Sequence, residues 1–174
     1  MRIALNLKVL VTVFLGIFGS LPLHAQVSSS QIQAFKDTWS DTRMARGSFT
    51  EIHPDGFQQH GQFLIQSPSV MVMQYRNGTK VTVNGGNVSV EEPGRQTINQ
   101  SAGPLDRLFR ENPNIDGLIT GGGTGTNETK IRLRHPTNHN RGFVDLIFDN
   151  RTSRLTGWVN QFDGNNITVR LAHQ

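Results

Sequence analysis

The 174-residue chain contains no cysteine and a single tyrosine, Tyr75, and only 17% of its residues are charged. Without cysteine it has no disulfide, no thiolate metal site, no cysteine nucleophile and no lipid-modified N-terminal cysteine. After the first 25 residues there is no apolar run of the roughly 20 residues that span a bilayer. The net charge is +4 and falls to +2 if Arg2 and Lys8 are removed with a leader. This small excess of cations gives no reason to expect nucleic-acid binding.

The first 25 residues have the features of a secretory signal peptide. Arg2 and Lys8 supply the positive end, Val9–Phe18 form a short apolar run, and Ala25 offers a small residue at the cut. We therefore expect residues 1–25 to be removed and residues 26–174 to form a single domain. Export of a chain without cysteine favours a Gram-negative periplasm over an animal secretory pathway, where small domains tend to be rich in disulfides.

Two short helices are predicted. Ser28 to Ser30 can cap a helix in which Ile32, Phe35 and Trp39 recur at the spacing of one helix face, ending near Gly47. Pro104, at the favoured first position, opens a second short helix. Its apolar residues are Leu105, Leu108 and Phe109.

From Gly47 onward the apolar residues recur with a period of two, which is typical of strands. Pro54-Asp55-Gly56 and Asn77-Gly78 are turn signals between them, and Asn-Gly is among the strongest for a hairpin. Short consecutive strands predict an antiparallel sheet, strongly curved or closed into a barrel. The predicted strands are Gly47–His53, Phe57–Gln66, Ser69–Arg76, Thr79–Asn84, Asn87–Glu92, Arg95–Asn99, Thr129–His135, Gly142–Phe148, Arg154–Phe162 and Ile167–Ala172.

Most of these strands carry one apolar face. Met71, Met73 and Tyr75 share a face of one strand, and Phe63 and Ile65 share a face of the strand before it. Any half-buried sheet has this pattern, so an ordinary core is one interpretation. The other interpretation is an apolar hollow that accepts a ligand, because two short helices cannot cover so many strands.

Residues that could carry catalysis or bind a metal are sparse. His135 and His139 have the spacing of a metal pair on a helix, but Pro136 argues against that helix. The segment 121–126, Gly-Gly-Gly-Thr-Gly-Thr, fits no phosphate-binding motif, and we expect a mobile loop there. His53, Asp55 and His60 flank a turn and are expected to be solvated. We therefore expect that the protein is not an enzyme and that it binds neither a metal ion nor a cofactor.

Several segments together resemble the periplasmic outer-membrane lipoprotein carriers, the LolA-like family. The similarity extends from the first helix to the last strand, and its motifs are short. The matching segments are Gly47-Ser48-Phe49-Thr50-Glu51, Pro54-Asp55-Gly56, residues 61–68, Pro104 to Phe109, Leu146-Ile147-Phe148-Asp149, Leu155 to Trp158, and residues 163–171.

The resemblance implies a mainly β fold with some helix: an incomplete antiparallel β-barrel of about ten or eleven strands. Its N-terminal helix and short central helix would cover an apolar concave face. The implied function is a monomeric periplasmic carrier that takes the acyl chains of lipoproteins from an inner-membrane releasing ABC transporter complex to an outer-membrane acceptor. The implied acyl-chain site is Phe49, Phe63, Ile65, Met71, Met73, Tyr75, Leu146 and Phe148, and the implied lid is Ile32, Phe35, Trp39, Leu105, Leu108 and Phe109.

Two departures from the family bear on the mechanism. Ser67 stands where the family usually has an arginine that hydrogen-bonds the lid closed, and one hydroxyl replaces five fixed donors. The C-terminal extension of some carriers has no counterpart before Gln174. The alternative function is therefore a lipid or lipoprotein binding or sensing module that does not transport its ligand.

Overall fold

The computed structural model describes residues 26–42, 44–66, 69–95, 97–101, 105, 107–110, 113–135, 142–162 and 165–174. The signal peptide 1–25, the latch position Ser67, Pro104 as the first residue of the central helix, and His139 of the His135 pair are predictions that lie outside these ranges. No helix in the described part of the chain has the length and apolar character needed to cross a bilayer.

One α-helix, α1 (Ser29–Asp41), precedes the sheet. Ser28 caps it in a capping box, in which its hydroxyl accepts a hydrogen bond from the Gln31 backbone and the Gln31 side chain accepts one from the Ser28 backbone. The helix ends earlier than the predicted end near Gly47, because the chain enters its first strand at Met44. The hydroxyl of Thr42 donates to the Thr38 carbonyl and satisfies one orphan acceptor of the last turn.

Eleven antiparallel strands form one sheet in the order β6-β5-β4-β3-β2-β1-β11-β10-β9-β8-β7. The first and last strands are therefore neighbours in the middle, and the described parts of β6 and β7 form its two open edges. The strands are β1 (Met44–Ile52), β2 (Gln58–Gln66), β3 (Val70–Tyr75), β4 (Lys80–Asn84), β5 (Asn87–Glu91), β6 (Ile98–Ser101), β7 (Ile119–Thr124), β8 (Glu128–Arg134), β9 (Gly142–Asp149), β10 (Leu155–Phe162) and β11 (Asn165–His173).

The fold-class prediction is confirmed: the sheet is an incomplete barrel whose apolar concave face is covered by a helix. Phe35 of α1 stacks on Phe148 of β9 with ring centroids 5.1 Å apart, and Trp39 meets Phe109 edge-on at 5.3 Å. Where the predicted central helix is described, at residues 105 and 107–110, it forms a helical turn in which the N–H groups of Leu108 and Phe109 both donate to the Leu105 carbonyl.

The expectation of a loop at residues 121–126 is wrong for residues 121–124, and only Gly125 and Thr126 lie in the connection that follows the strand. Gly121 to Gly123 lie inside β7 and pair with Arg132, Ile131 and Lys130 of β8. Glycine weakens a strand, which is why the sequence pattern favours a loop here. A side chain at Gly122 would collide with the Lys130 carbonyl and the Val27 side chain, so glycine is what allows the start of the α1 segment to approach β7.

Candidate functional site

The eight residues that the sequence assigns to an acyl-chain site share the concave face. Strand register explains this, because Phe63 pairs with Met73 and Ile65 pairs with Met71 across β2 and β3. Seven of the eight are at most 5% exposed, and Tyr75 is half-buried. Those seven are Phe49, Phe63, Ile65, Met71, Met73, Leu146 and Phe148.

The predicted lid residues pack against this face and fill it. Phe35, Trp39, Leu108 and Phe109 are at most 3% exposed, and Ile32 and Leu105 are partly buried against the same cluster. The indole Nε1 of Trp39 donates a 3.0 Å hydrogen bond to the Leu108 carbonyl and so ties α1 to the helical turn. In this state the concave face is a packed core, and a ligand can reach it only if the lid moves.

A cavity of about 190 Å³ opens at one end of the barrel, beside the C-terminal end of α1. We call it the mouth cavity. Its apolar wall includes Trp39, Ile65 and Leu155, and Met44 stands at the rim with 65% of its surface exposed. The volume is below the roughly 300–1,000 Å³ of pockets that enclose a drug-sized ligand. The full lining is Thr38, Trp39, Thr42, Met44, Ala45, Ile65, Ser153, Arg154, Leu155, His173 and Gln174.

The mouth cavity lies at the end of the barrel where β2 finishes. Gln66, the residue before Ser67, pairs with Met44 at the start of β1. His173 closes the wall between β10 and β11: its Nε2 lies 2.7 Å from the Leu155 carbonyl oxygen, and its ring meets Phe63 edge-on at 5.2 Å. The family's latch position therefore follows directly, in the chain, a residue at the mouth end of β2.

The opposite end of the concave face is polar. The hydroxyl of Tyr75 donates a 2.6 Å hydrogen bond to Glu51 Oε2, and His53 Nε2 lies 2.8 Å from Glu51 Oε1. Burial, and then the hydrogen bond and negative charge of Glu51, raise the pKa of Tyr75 above its ordinary value. The Tyr75 ring packs edge-on against Phe49 at 4.8 Å, so its apolar part belongs to the concave face and its hydroxyl to this polar end.

Glu51 was not assigned a role from the sequence. The available signal was its position two residues after Phe49, which places both side chains on one face of β1. His53 was expected to be solvated at a turn, and its approach to Glu51 places it in the same polar end. His60 instead forms a 3.0 Å contact through Nδ1 with the Thr50 hydroxyl.

A second set of polar contacts holds the N-terminal end of α1. The Gln31 side chain donates to Thr129 Oγ1 at 3.3 Å and accepts from Thr124 Oγ1 at 3.2 Å. Thr129 is fully buried and donates a 2.6 Å hydrogen bond to Asn150 Oδ1. We call these four residues the α1 anchor. The helix is therefore fixed to β7 and β8 at its start, while its other end borders the mouth cavity.

The expectation that the protein binds no metal stays a prediction. Within the described ranges, no three His, Asp or Glu side chains are grouped so that they could hold a metal ion. His139, the second member of the His135 pair, lies outside those ranges.

Comparisons with known proteins give structural similarity alone. No protein-family model matches this chain, and a search of curated proteins finds no match. The crystal structure of a LolA superfamily protein from Nitrosomonas europaea aligns with a TM-score of 0.40 at 12% identity, covering 80% of this chain and 90% of that one. An uncharacterized conserved protein from Thermus thermophilus aligns with a TM-score of 0.47 at 9% identity, covering 83% of each chain. No function follows from alignments at these scores, and the LolA-like description of the fold rests on the incomplete barrel and its covering helix.

Proposed function

We propose that the protein is an exported carrier that holds the acyl chains of lipoproteins on its concave face after the α1 lid moves aside. The observation that carries this proposal is the unequal cover of the sheet. Eleven strands present one apolar face, and the described cover consists of α1, one helical turn and the short segment before β7 that buries Ile115. A sandwich covers such a face with a second sheet. A small, separable cover is what a reversible apolar site requires.

Magnitudes are consistent with reversible binding. An acyl chain of about sixteen carbons gains roughly 13 kcal/mol on full burial, at about 0.8 kcal/mol per CH₂. Moving the lid exposes Phe35, Trp39, Leu108 and Phe109, and each costs about 1.5–3 kcal/mol to uncover. The cost of about 6–12 kcal/mol offsets most of the gain. Binding then stays weak enough for release to a membrane without covalent chemistry.

The two ends of α1 indicate the direction in which the lid opens. Its start is held by the α1 anchor through Gln31, whereas its end borders the mouth cavity. We therefore propose that the acyl chains enter at the mouth cavity and that the C-terminal end of α1 moves first. The cavity already admits the end of a chain, and widening it along α1 leads onto Ile65 and Phe148.

The proposed setting follows the resemblance. The carrier would work as a monomer in the periplasm, receive acylated lipoproteins from an inner-membrane releasing ABC transporter complex, and deliver them to an outer-membrane acceptor. It would use no cofactor, bind no nucleic acid and catalyse no reaction. The alternative, a sensor that keeps its lipid or lipoprotein ligand, differs from the carrier only in whether the ligand is handed on.

The test is to incubate the purified protein with vesicles that carry a triacylated lipoprotein and to measure soluble complex. We expect Leu108→Glu to lose the complex, since Leu108 is fully buried under the lid. Ile98→Glu is the matched control, because Ile98 is 57% exposed on the edge strand β6. Met44→Glu changes the exposed rim of the mouth cavity without touching the core, and we expect it to slow uptake.

Cargo without acyl chains and a second set of vesicles complete the experiment. Complex formation that needs the acyl chains and survives Ile98→Glu supports lipid binding, and transfer to acceptor vesicles then supports the carrier over the sensor. Equal binding of acylated and bare cargo, or no uptake at all, would mean that the concave face is only a core.

A further inference from the structure

A second cavity lies outside the barrel, against the outer face of β7, β8 and β9. It is an open trough of about 700 Å³, and we call it the outer trough. None of the residues assigned to the concave face or the lid lines it. Its lining is Thr120, Gly121, Gly122, Gly123, Gly125, Thr126, Asn127, Glu128, Lys130, Arg132 and Asp145.

The outer trough exists largely because two residues of β7 on this face, Gly121 and Gly123, carry no side chain. Gly121 pairs with Arg132 and Gly123 pairs with Lys130, so both glycines face outward beside two cations. A Cβ placed on Gly121 would meet no atom within 4 Å. The backbone of β7 is therefore open to a second chain, both from its outer face and from its edge.

The edge of β7 is also unprotected. Its described backbone groups pair only with β8, and Thr120 and Gly122 are exposed to solvent. Natural edge strands are usually shielded by lysine, proline, inward-pointing charge or short length. β7 has six residues, none of them charged and none of them proline. The other edge, β6, spans four residues, and no trough accompanies it among the cavities described here.

The lining of the outer trough carries two cations, Lys130 and Arg132, and two carboxylates, Glu128 and Asp145. Lys130 is exposed and makes no ion pair with any described residue. Arg132 is held by two hydrogen bonds to Asp145, and Arg170 pairs with Glu128. Arg134 extends the positive row along β8, where it donates to the Gly117 carbonyl. With Arg132 neutralised by Asp145 and Glu128 by Arg170, Lys130 is the charge of the lining that has no ion-pair partner among the described residues, and an acidic side chain of a partner would supply one.

We propose that β7 is a docking edge for an extended acidic segment of a partner protein. The segment adds as a twelfth strand, its backbone completes the hydrogen bonds of the β7 edge, and its alternate acidic side chains lie over the outer trough toward Lys130. The other side chains turn toward Val27 and the concave side, so the segment alternates acidic and small apolar residues. This interaction is separate from the acyl-chain site and holds whether or not the concave face takes lipid.

The probe is a fluorescently labelled peptide of about eight residues, a common strand length, that alternates Asp with Val or Thr. Two control peptides accompany it: one replaces Asp by Lys, and one is N-methylated throughout, which keeps every charge and removes every backbone donor. Anisotropy measures affinity. Backbone amide NMR shows whether the perturbed residues are Ile119–Thr124 or Ile98–Ser101.

Two pairs of variants test the position. Gly121→Asp puts a carboxylate into the outer trough, and Gln62→Asp is its control, since it adds the same charge at an exposed position of β2 that does not line the trough. Lys130→Glu is matched by Arg76→Glu, which changes an exposed cation at the distant β3–β4 turn. We expect Gly121→Asp and Lys130→Glu each to weaken binding about tenfold, and the two controls to leave it unchanged.

Saturable binding that N-methylation and the Lys-containing peptide both abolish, with perturbations confined to β7, supports the proposal. Three results would overturn it. The first is the absence of saturation up to about 1 mM peptide, where even weak recognition of about −4 kcal/mol is visible. The second is equal binding of the N-methylated peptide, which would mean that charge attraction, and not strand pairing, holds the peptide. The third is perturbation of β6 in place of β7.

Discussion

The indole Nε1 of Trp39 and the carbonyl oxygen of Leu108 lie 3.0 Å apart in a buried hydrogen bond that joins the two parts of the lid. The residues are 69 positions apart in the chain. Both side chains also pack into the concave cluster, at 3% and 0% exposure. This bond therefore fastens α1 to the helical turn of Leu105 to Phe109.

Trp39→Phe is expected to loosen the lid. The ring keeps most of its packing, but the Leu108 carbonyl loses one of its two donors and keeps the Arg110 N–H, so we expect a loss of about 0.5–1.5 kcal/mol of unfolding free energy. Urea denaturation measures this loss. Trp158→Phe is the matched control, because Trp158 is similarly buried and its ring makes no such hydrogen bond within the described residues. Equal destabilisation by the two changes would mean that the bond contributes nothing beyond ring volume.

Tyr75 is expected to resist ionisation in the folded protein. Its pKa is raised by burial and by Glu51, so the folded chain keeps the phenol proton when the unfolded chain loses it near pH 10. The stability that this group contributes is complete below about pH 10 and is lost as the pH rises toward the folded-state pKa. Tyr75 is the single tyrosine, so tyrosinate absorbance reports it alone.

Glu51→Gln separates the causes of that shift. The substitution removes the charge and leaves the burial, so the absorbance step should move back toward pH 10 without reaching it. A wild-type step already at pH 10 in the folded protein would contradict the buried contact between Tyr75 and Glu51.

Gly47→Ala is expected to destabilise the centre of the sheet. A Cβ at Gly47 would collide with the Ala172 carbonyl oxygen of β11 and with the Phe63 ring of β2. The Ala172 carbonyl belongs to the backbone of a paired strand, so it can move away only if the sheet is distorted. We expect a loss of about 1–3 kcal/mol, as for other overpacked sites. Gly121→Ala is the matched control and should change stability by less than about 0.5 kcal/mol, since its Cβ enters open space. Equal effects would show that β1 and β11 do not approach as closely as described.

The ion pair of Arg132 and Asp145 is expected to contribute modestly. Two hydrogen bonds of 2.7 and 2.8 Å join them, and the pair raises the pKa of Arg132. The Arg132 side chain is 42% exposed, so solvent screening limits the coupling to about 1 kcal/mol. A double-mutant cycle with Arg132→Gln and Asp145→Asn, followed by urea denaturation, measures it. A coupling of zero would mean that Arg132 contributes through its packing on Phe143, whose ring centroid lies 3.7 Å from the guanidinium carbon.

Most of the sheet could be predicted from the sequence because its signals are local. The period-two faces of β2 and β3 and the turn at Asn77-Gly78 each lie within a few residues of one another. β6 is displaced, lying at Ile98–Ser101 and not at Arg95–Asn99. Arg95 instead belongs to a turn, in which it donates to the Glu92 carbonyl and pairs with the Glu92 side chain.

What the sequence missed depends on contacts between distant segments. β7 is a strand because β8 pairs with it, although its three consecutive glycines have low strand propensity. The α1 anchor joins Gln31 to Thr129, 98 residues apart, and nothing in either segment predicts the other. The outer trough likewise needs the register of β7 on β8, because only that register places two glycines beside Lys130 and Arg132.

The adjacency of β1 and β11 has a consequence for how the chain is made. The two strands at the centre of the sheet come from opposite ends of the described sequence, with Gly47 beside His173. During synthesis each half of the sheet can form hairpins, but the halves cannot join until β11 has emerged. Contacts of such long sequence separation slow folding. Because β1 and β11 pair last, the two halves of the sheet stay separate until the chain is complete. A truncation that removes β11 is expected to leave two half-sheets, each with an exposed apolar face.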